Sequence, residues 1–357
     1  MCADYAGPMA DFVLRAMVPT DGPALDELLS SEAQTGRMRI TTHYLRDVHS
    51  AMVAQHPGVF GVVAESSEVA GLAGMATAFL DRVRAGGDVG PVAYLENLKV
   101  HHHLRRRGLG GRLAAWRIEE ARRRSGDDVL IATGIEAGNT ASLATARRWA
   151  TQVLGPVRVV VAGTRRTQPT AAGLEVRPLM PADRDAVAAG VNTFHAGYEL
   201  FPQQTAERLA DAHAPTADGE AVRQYRVVAS PTGEILAGAS VMQRFALMVD
   251  HIDAVPLVIS IVGRLTGMLP ADRVLRSIEL SLAWHAPGRA DALALLWDAI
   301  RWEWRDRCTS VTTIADPRGP MPLTLAGVSR FGPRIELRVP VRAPRPLDEA
   351  KPVYLWR

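Results

Sequence analysis

The chain has 357 residues, beyond the length at which single hydrophobic cores usually stop growing, so two domains are expected. With 47% hydrophobic and 22% charged residues it is too apolar for intrinsic disorder, and a formal net charge of +3 carried by dispersed arginines argues against a nucleic-acid partner. Cys2 and Cys308 are too few for a disulfide framework or a cysteine-based zinc site, and no unbroken apolar stretch is long enough to span a bilayer; a reducing, cytoplasmic setting without a membrane partner is the expectation.

The first predicted element is a short apolar strand in Val13-Leu14-Arg15-Ala16-Met17-Val18-Pro19-Thr20-Asp21, which runs through a proline turn into a helix at 24–29. A small-residue strand follows at 68–79, then a strand and long helix over 94–124, then an apolar strand at 129–133. After the midpoint the same order returns. Glu175-Val176-Arg177-Pro178-Leu179-Met180-Pro181-Ala182-Asp183 repeats arginine, proline and aspartate in register, followed by a helix at 186–191, a strand at 234–245, a strand and helix over 278–307 and a strand at 311–314. Polar, Pro/Gly-containing residues 164–173 read as a linker. The expected organisation is an N-terminal domain at 1–163, the linker, a C-terminal domain at 174–342 and an extended arm at 343–357, whose Val353, Tyr354, Leu355 and Trp356 could dock on the body or on a second protomer. Each half is a mixed α/β (α+β) unit, since the elements do not alternate as a doubly wound parallel sheet requires.

The most informative stretch is the alternating strand Leu95-Glu96-Asn97-Leu98-Lys99-Val100, then His101-His102-His103-Leu104, then Arg105-Arg106-Arg107-Gly108-Leu109-Gly110-Gly111 and a helix pattern. A strand that ends in a basic, Gly-rich turn and opens a helix aims unpaired backbone N–H groups at one point, where the helix dipole favours negative charge. Such a turn binds phosphate. It lacks the Gly-Lys-Ser/Thr ending of a Walker loop and the glycine spacing of the dinucleotide fingerprint. Three adjacent histidines cannot all face one metal from a strand end, and no Cys or carboxylate cluster accompanies them, so no metal is expected.

Arg105-x-x-Gly108-x-Gly110 after a strand ending at Val100 resembles motif A of the GNAT acyltransferase superfamily. The resemblance implies a tandem GNAT fold and an acetyl-CoA site in the N-terminal half, with the pyrophosphate held by Arg105, Arg106, Arg107, Gly108, Leu109, Gly110 and Gly111. Backbone groups of Leu98 and Val100 would pair with the pantetheine amides. Gly138-Asn139-Thr140-Ala141-Ser142 occupies the place where family members open the next helix with Asn, which makes Asn139 and Ser142 candidate coenzyme contacts; Asn139 fits equally well as an N-cap. The family's amine acceptor attacks the thioester directly, which calls for a base and an acid. Glu96 is the base candidate, placed by strand alternation on the side of Leu98 and Val100; a solvated or salt-bridged strand Glu is the alternative. Many members supply the acid from a Tyr about two helical turns after the position of Asn139, and Ala144-Thr145-Ala146-Arg147-Arg148-Trp149 holds none.

The C-terminal half departs differently. Aligning Glu96 with Glu279 brings Trp284-His285-Ala286-Pro287-Gly288-Arg289-Ala290-Asp291 onto the phosphate turn, with Asp291 and Leu293 near the places of Gly108 and Gly110, so coenzyme binding there is expected to be weak, altered or absent. Glu279 and His285 remain candidate catalytic groups. The expected function is acetyl-CoA-dependent transfer to an amine of a small molecule; the tandem layout and Arg-rich, Lys-poor composition resemble tandem GNAT acetyltransferases of specialised metabolism. The alternative is an acyl-CoA-binding protein whose N-terminal acetyl-CoA is structural, with any catalysis in the C-terminal half. Monomer and homodimer are both open.

Overall fold

In the computed structural model the described residues are 12–30, 39–214, 221–254, 270–321 and 335–355. Each half opens on the repeated arginine and aspartate. Arg15 on β1 (Val13–Ala16) grips Asp21 through bonds of 2.8 and 2.7 Å, and Arg177 on β9 (Glu175–Pro178) grips Asp183 at 2.5 and 3.0 Å. The aspartate also accepts the backbone N–H of Val18 or Met180, at 2.8 and 2.9 Å, and so closes the proline turn that leads into α1 (Gly22–Ser30) or α5 (Arg184–Phe194). A planar guanidinium bound at both oxygens fixes the strand against the helix start, which is why three residues recur in register.

The N-terminal half continues through β2 (Arg39–Tyr44), α2 (Val48–Gln55), β3 (Phe60–Glu65), β4 (Leu72–Ala85), β5 (Asp88–Val100), α3 (Leu109–Ser125), β6 (Leu130–Ala132), β7 (Ile135–Glu136), α4 (Thr140–Ala146) and β8 (Gln152–Gly163). After β9 and α5 come α6 (Ala206–Ala212), β10 (Arg223–Ala229), β11 (Ile235–Met242), β12 (Met248–Ala254), β13 (Val274–Leu275), β14 (Ser277–His285), α7 (Ala290–Glu303), β15 (Ser310–Ala315) and β16 (Ile335–Arg342). β4 runs six residues past the strand expected at 68–79 because it forms a long hairpin with β5. Gly86 and Gly87, at φ +60° and +93°, make the two-residue turn between the paired Ala85 and Asp88.

One 13-stranded sheet crosses both halves in the order β1-β3-β4-β5-β6-β16-β8-β15-β14-β11-β10-β9, with β7 paired to β16. The last strands are exchanged. β8 from the N-terminal half pairs with β15, from Arg158 opposite Ala315 to Gly163 opposite Ser310, while β16 from the C-terminal half pairs with β6 and β7. A smaller sheet, β13-β12-β2, joins the halves a second time. α3 covers one face of the N-terminal half with Leu109, Leu113 and Ile118, and α1 and α2 cover the other with Leu25, Leu28 and Met52. α7 and the α5/α6 pair repeat this with Leu296 and Trp297 on one face and Val187, Val191 and Leu209 on the other. The arm docks on the body: Leu347, Val353 and Leu355 are buried and Val353 bridges Glu199. Trp356 lies outside the described residues.

The two parallel ladders position the site. β5 leaves β6 after Tyr94 opposite Ala132, and β14 leaves β15 after Leu280 opposite Thr313. Each half therefore contains a wedge where the central strands part.

Candidate functional site

At the far end of the N-terminal wedge, β5 ends at Val100, residues 101–108 turn, and α3 begins at Leu109. Arg106 (φ +64°) and Gly108 (φ +82°) are both left-handed, which curls successive backbone N–H groups into a concave array. No side chain caps the N-terminus of α3, and a methyl group added at Gly108 would meet nothing within 4 Å. The turn is open as well as basic. Of its arginines, Arg107 is paired with Glu68 at 2.6 Å and Arg105 donates to the Val100 carbonyl at 3.3 Å. Arg148, which the sequence pattern did not single out, adds a cation: a methyl group at Gly111 would lie 3.4 Å from its Nη1. Asn139 caps α4 by accepting from the Ser142 backbone N–H at 3.0 Å, so the N-cap half of its two readings is what the structure shows.

Toward the middle of the wedge, β5 carries a bulge. Glu96 pairs with Thr77 but Lys99 pairs with Met75, so three steps on β5 match two on β4, and Asn97 takes φ +49° at the extra residue. This corrects the alternation argument for Glu96. The bulge reverses the pleat: Leu98 and Val100 pack on the α3 face, while Glu96 lies on the opposite face beside His56, whose Nε2 is 3.7 Å from Glu96 Oε2. His56 caps α2, stacks on Phe79 with centroids 3.8 Å apart, and is pushed by burial, with Arg223 contributing, to a pKa of about 3. The ring is neutral, so its contact with Glu96 is polar rather than ionic. Burial also pushes the Tyr44 phenol up to about 12, with Glu96 and Asp250 contributing in the same direction. From the α3 side, Arg117 Nη1 donates to the carbonyls of Thr77 and Glu96 at 2.8 and 2.6 Å, and Asn97 Nδ2 donates to Thr77 Oγ1 at 3.1 Å. Glu96 thus sits at a braced kink, on a face that alternation did not foresee.

The C-terminal wedge has the same kink with different contents. Ser281 pairs with Ser240, Trp284 pairs with Gly238, and Leu282 takes φ +50°. Register therefore matches Glu96 with Ser281 and Asn97 with Leu282, and the alignment of Glu96 with Glu279 is off by two residues because Glu279, opposite Met242, falls at the place of Tyr94, opposite Phe79. His285 falls at the place of Val100, six residues from Glu279, or about 20 Å of strand. The two are not brought together. His285 Nδ1 faces the Ala286 carbonyl at 2.8 Å. The turn that follows is only residues 286–289, and Arg289 is clamped on Asp291 at 2.9 and 3.0 Å. The bulge itself is occupied: the backbone N–H of Leu282 donates to the Tyr354 hydroxyl at 2.9 Å. What is left is a cavity of about 20 Å³ lined by Glu279, Ser281, Thr313, Met321 and Tyr354, with the Ser281 hydroxyl unpartnered among the described residues. That is room for about one water. Among the described residues no group of three or more side chains could hold a metal ion, and no helix is long and apolar enough to cross a membrane.

A kinked central strand, a parting parallel neighbour and an open basic turn before α3 resemble the GNAT arrangement, and comparison with known proteins finds the same fold. Residues 23–150 match the family model described as acetyltransferase (GNAT) family. The chain superposes on N-myristoyltransferase from Saccharomyces cerevisiae with bound myristoyl-CoA (TM-score 0.63, 16% identity, 95% of this chain and 84% of that one). It also superposes on a GCN5-related N-acetyltransferase from Sphaerobacter thermophilus (0.53, 16%, 94% and 97%). A tandem GNAT protein from the clavulanic acid biosynthesis pathway aligns over 95% of this chain and all of its own (0.56, 14%). At these identities the likeness is one of fold. Comparison with curated protein sequences finds no match. The chain thus has the fold of tandem GNAT proteins, and the segment that matches the family model lies in its N-terminal half.

Proposed function

We propose that the N-terminal half binds an acyl-CoA, with acetyl-CoA as the donor, and transfers its acyl group to an amine. The observation that carries this is the joining, by one strand, of an uncapped, left-handed basic turn at 105–110 to a kink that presents Glu96. In this reading the coenzyme phosphates lie against the turn, where backbone N–H groups, Arg105, Arg106 and Arg148 meet them. Glu96 removes a proton from the acceptor amine, the nitrogen attacks the thioester carbon, and the C–S bond breaks as the amide forms. The buried His56 ring lies beside Glu96 and Tyr44 is near enough to feel its charge, surroundings that suit a compact, small-molecule amine better than a folded protein. The second reading, catalysis confined to the C-terminal half, is disfavoured by the Tyr354 hydroxyl at the Leu282 amide. Incubation with acetyl-CoA and a panel of small amines, read as free thiol release, tests the proposal: amine-dependent release is expected. An acyl-CoA that stays bound without turnover against any amine would favour a binding protein instead.

A further inference from the structure

α3 and α7 bury the same face with the same spacing: Leu113, Ala114, Arg117, Ile118 and Ala121 in one, Ala292, Leu293, Leu296, Trp297 and Ile300 in the other. At one place the two halves differ in kind. Where α7 carries Leu296, fully buried, α3 carries Arg117, 3% exposed. No ion pair of Arg117 is seen among the described residues; its Nη1 reaches the carbonyls of Thr77 and Glu96, and its buried Nε has no partner. A buried cation held chiefly by carbonyls is costly: burial draws its pKa down to about 9, and the nearby charge of Glu96 only partly offsets this. The fold does not demand it, because the C-terminal kink forms with the same register over Leu296. A residue that breaks the local rule in only one of two equivalent places points to function.

Resting on the acyl-transfer reading of the N-terminal half, we propose that Arg117 supplies the electrostatic stabilisation of that reaction. Its guanidinium, fixed beneath the kink, favours the negative charge that arises as the amine nitrogen bonds to the thioester carbon and that leaves with the sulfur when the C–S bond breaks. A fixed cation in a water-poor interior is effective for this and needs no proton of its own. It stands in for the tyrosine acid that the segment 144–149 lacks.

The test replaces Arg117 by the residue the other half uses. Arg117→Leu is expected to fold, to bind acetyl-CoA within about threefold of the unmodified protein, and to lose on the order of 100-fold in kcat with KM little changed, the signature of an interaction made mainly in the transition state. Arg117→Lys, which keeps the charge, is expected to recover at least a tenth of the original kcat. Unchanged kcat in Arg117→Leu would overturn this proposal alone, as would a Lys variant no faster than the Leu variant. If Arg117→Leu fails to fold, the Lys variant decides: a kcat below about a tenth of the original, with acetyl-CoA still bound, overturns the proposal. Absence of thiol release from the unmodified protein, with acetyl-CoA bound, would overturn the acyl-transfer reading and this proposal with it.

Discussion

The two wedges of this molecule share a backbone and differ in what fills it. Both have a parallel pair that parts, a left-handed residue at an equivalent bulge and a helix that starts from the end of the kinked strand. In the N-terminal wedge the turn before the helix is eight residues long, basic and uncapped, and the kink presents a carboxyl group. The C-terminal turn is four residues long, its arginine is consumed by Asp291, and the kink amide is taken by Tyr354. In the proposed reading, a repeated fold keeps its geometry for packing in one half and for chemistry in the other. Because β8 and β16 are exchanged, neither half completes its sheet alone.

The two wedges differ most at the basic turn and at the kink. Glu96→Gln should lower amine-dependent thiol release by about 10²- to 10⁴-fold while acyl-CoA binding persists, and Glu279→Gln should leave release at its original rate; equal losses in steady-state assays would show that the wedges were wrongly distinguished. Replacing Gly108 and Gly110 together by Glu should weaken acyl-CoA binding on the order of 100-fold by calorimetry, because it puts two negative charges at a phosphate turn and a side chain at φ +82°. Gly288→Glu should not change it.

Smaller effects sharpen the picture through stability. Tyr354→Phe leaves the Leu282 amide unsatisfied and should cost about 1 to 3 kcal/mol in denaturant unfolding, without slowing turnover. Burial lowers His56 from 6.5 to about 3, and His195 and His213 each to about 4. These rings are neutral when folded but take up protons when unfolded, so stability is complete above about pH 6.5 and falls as the pH drops toward 4. Each contributes up to about 1.4 kcal/mol per pH unit within that window. Two of the three belong to the C-terminal half, so His195→Gln with His213→Gln should flatten the acid slope more than His56→Gln does.

Much of this was legible in the sequence where the cause is local. The repeat of Arg15 and Asp21 in Arg177 and Asp183 is one ion pair closing one turn, and the Arg105 to Gly110 turn is backbone conformation written in residue type. What was not legible depends on distant partners. Alternation gives a strand's faces but not its neighbours, so nothing in residues 152–163 or 335–342 marks them for exchange. The bulges at Asn97 and Leu282 carry no glycine or proline, and missing them misplaced Glu279 by two residues and put Glu96 on the wrong face. Gly86-Gly87 was an available hairpin signal. Arg117 carries no motif signal; only its spacing four after Leu113 puts it on the apolar face. His56 and His213, each at the end of the second helix of its half, were a repeat that only the shared architecture exposes.

In the proposed reading one wedge is open to the coenzyme and the other is closed. Native mass spectrometry of the unmodified protein titrated with acetyl-CoA measures this directly. One adduct per chain, lost when Gly108 and Gly110 are replaced by Glu and unaffected by Gly288→Glu, is the predicted result. Two adducts, or one that survives the N-terminal replacement, would place the coenzyme in the C-terminal wedge and contradict it.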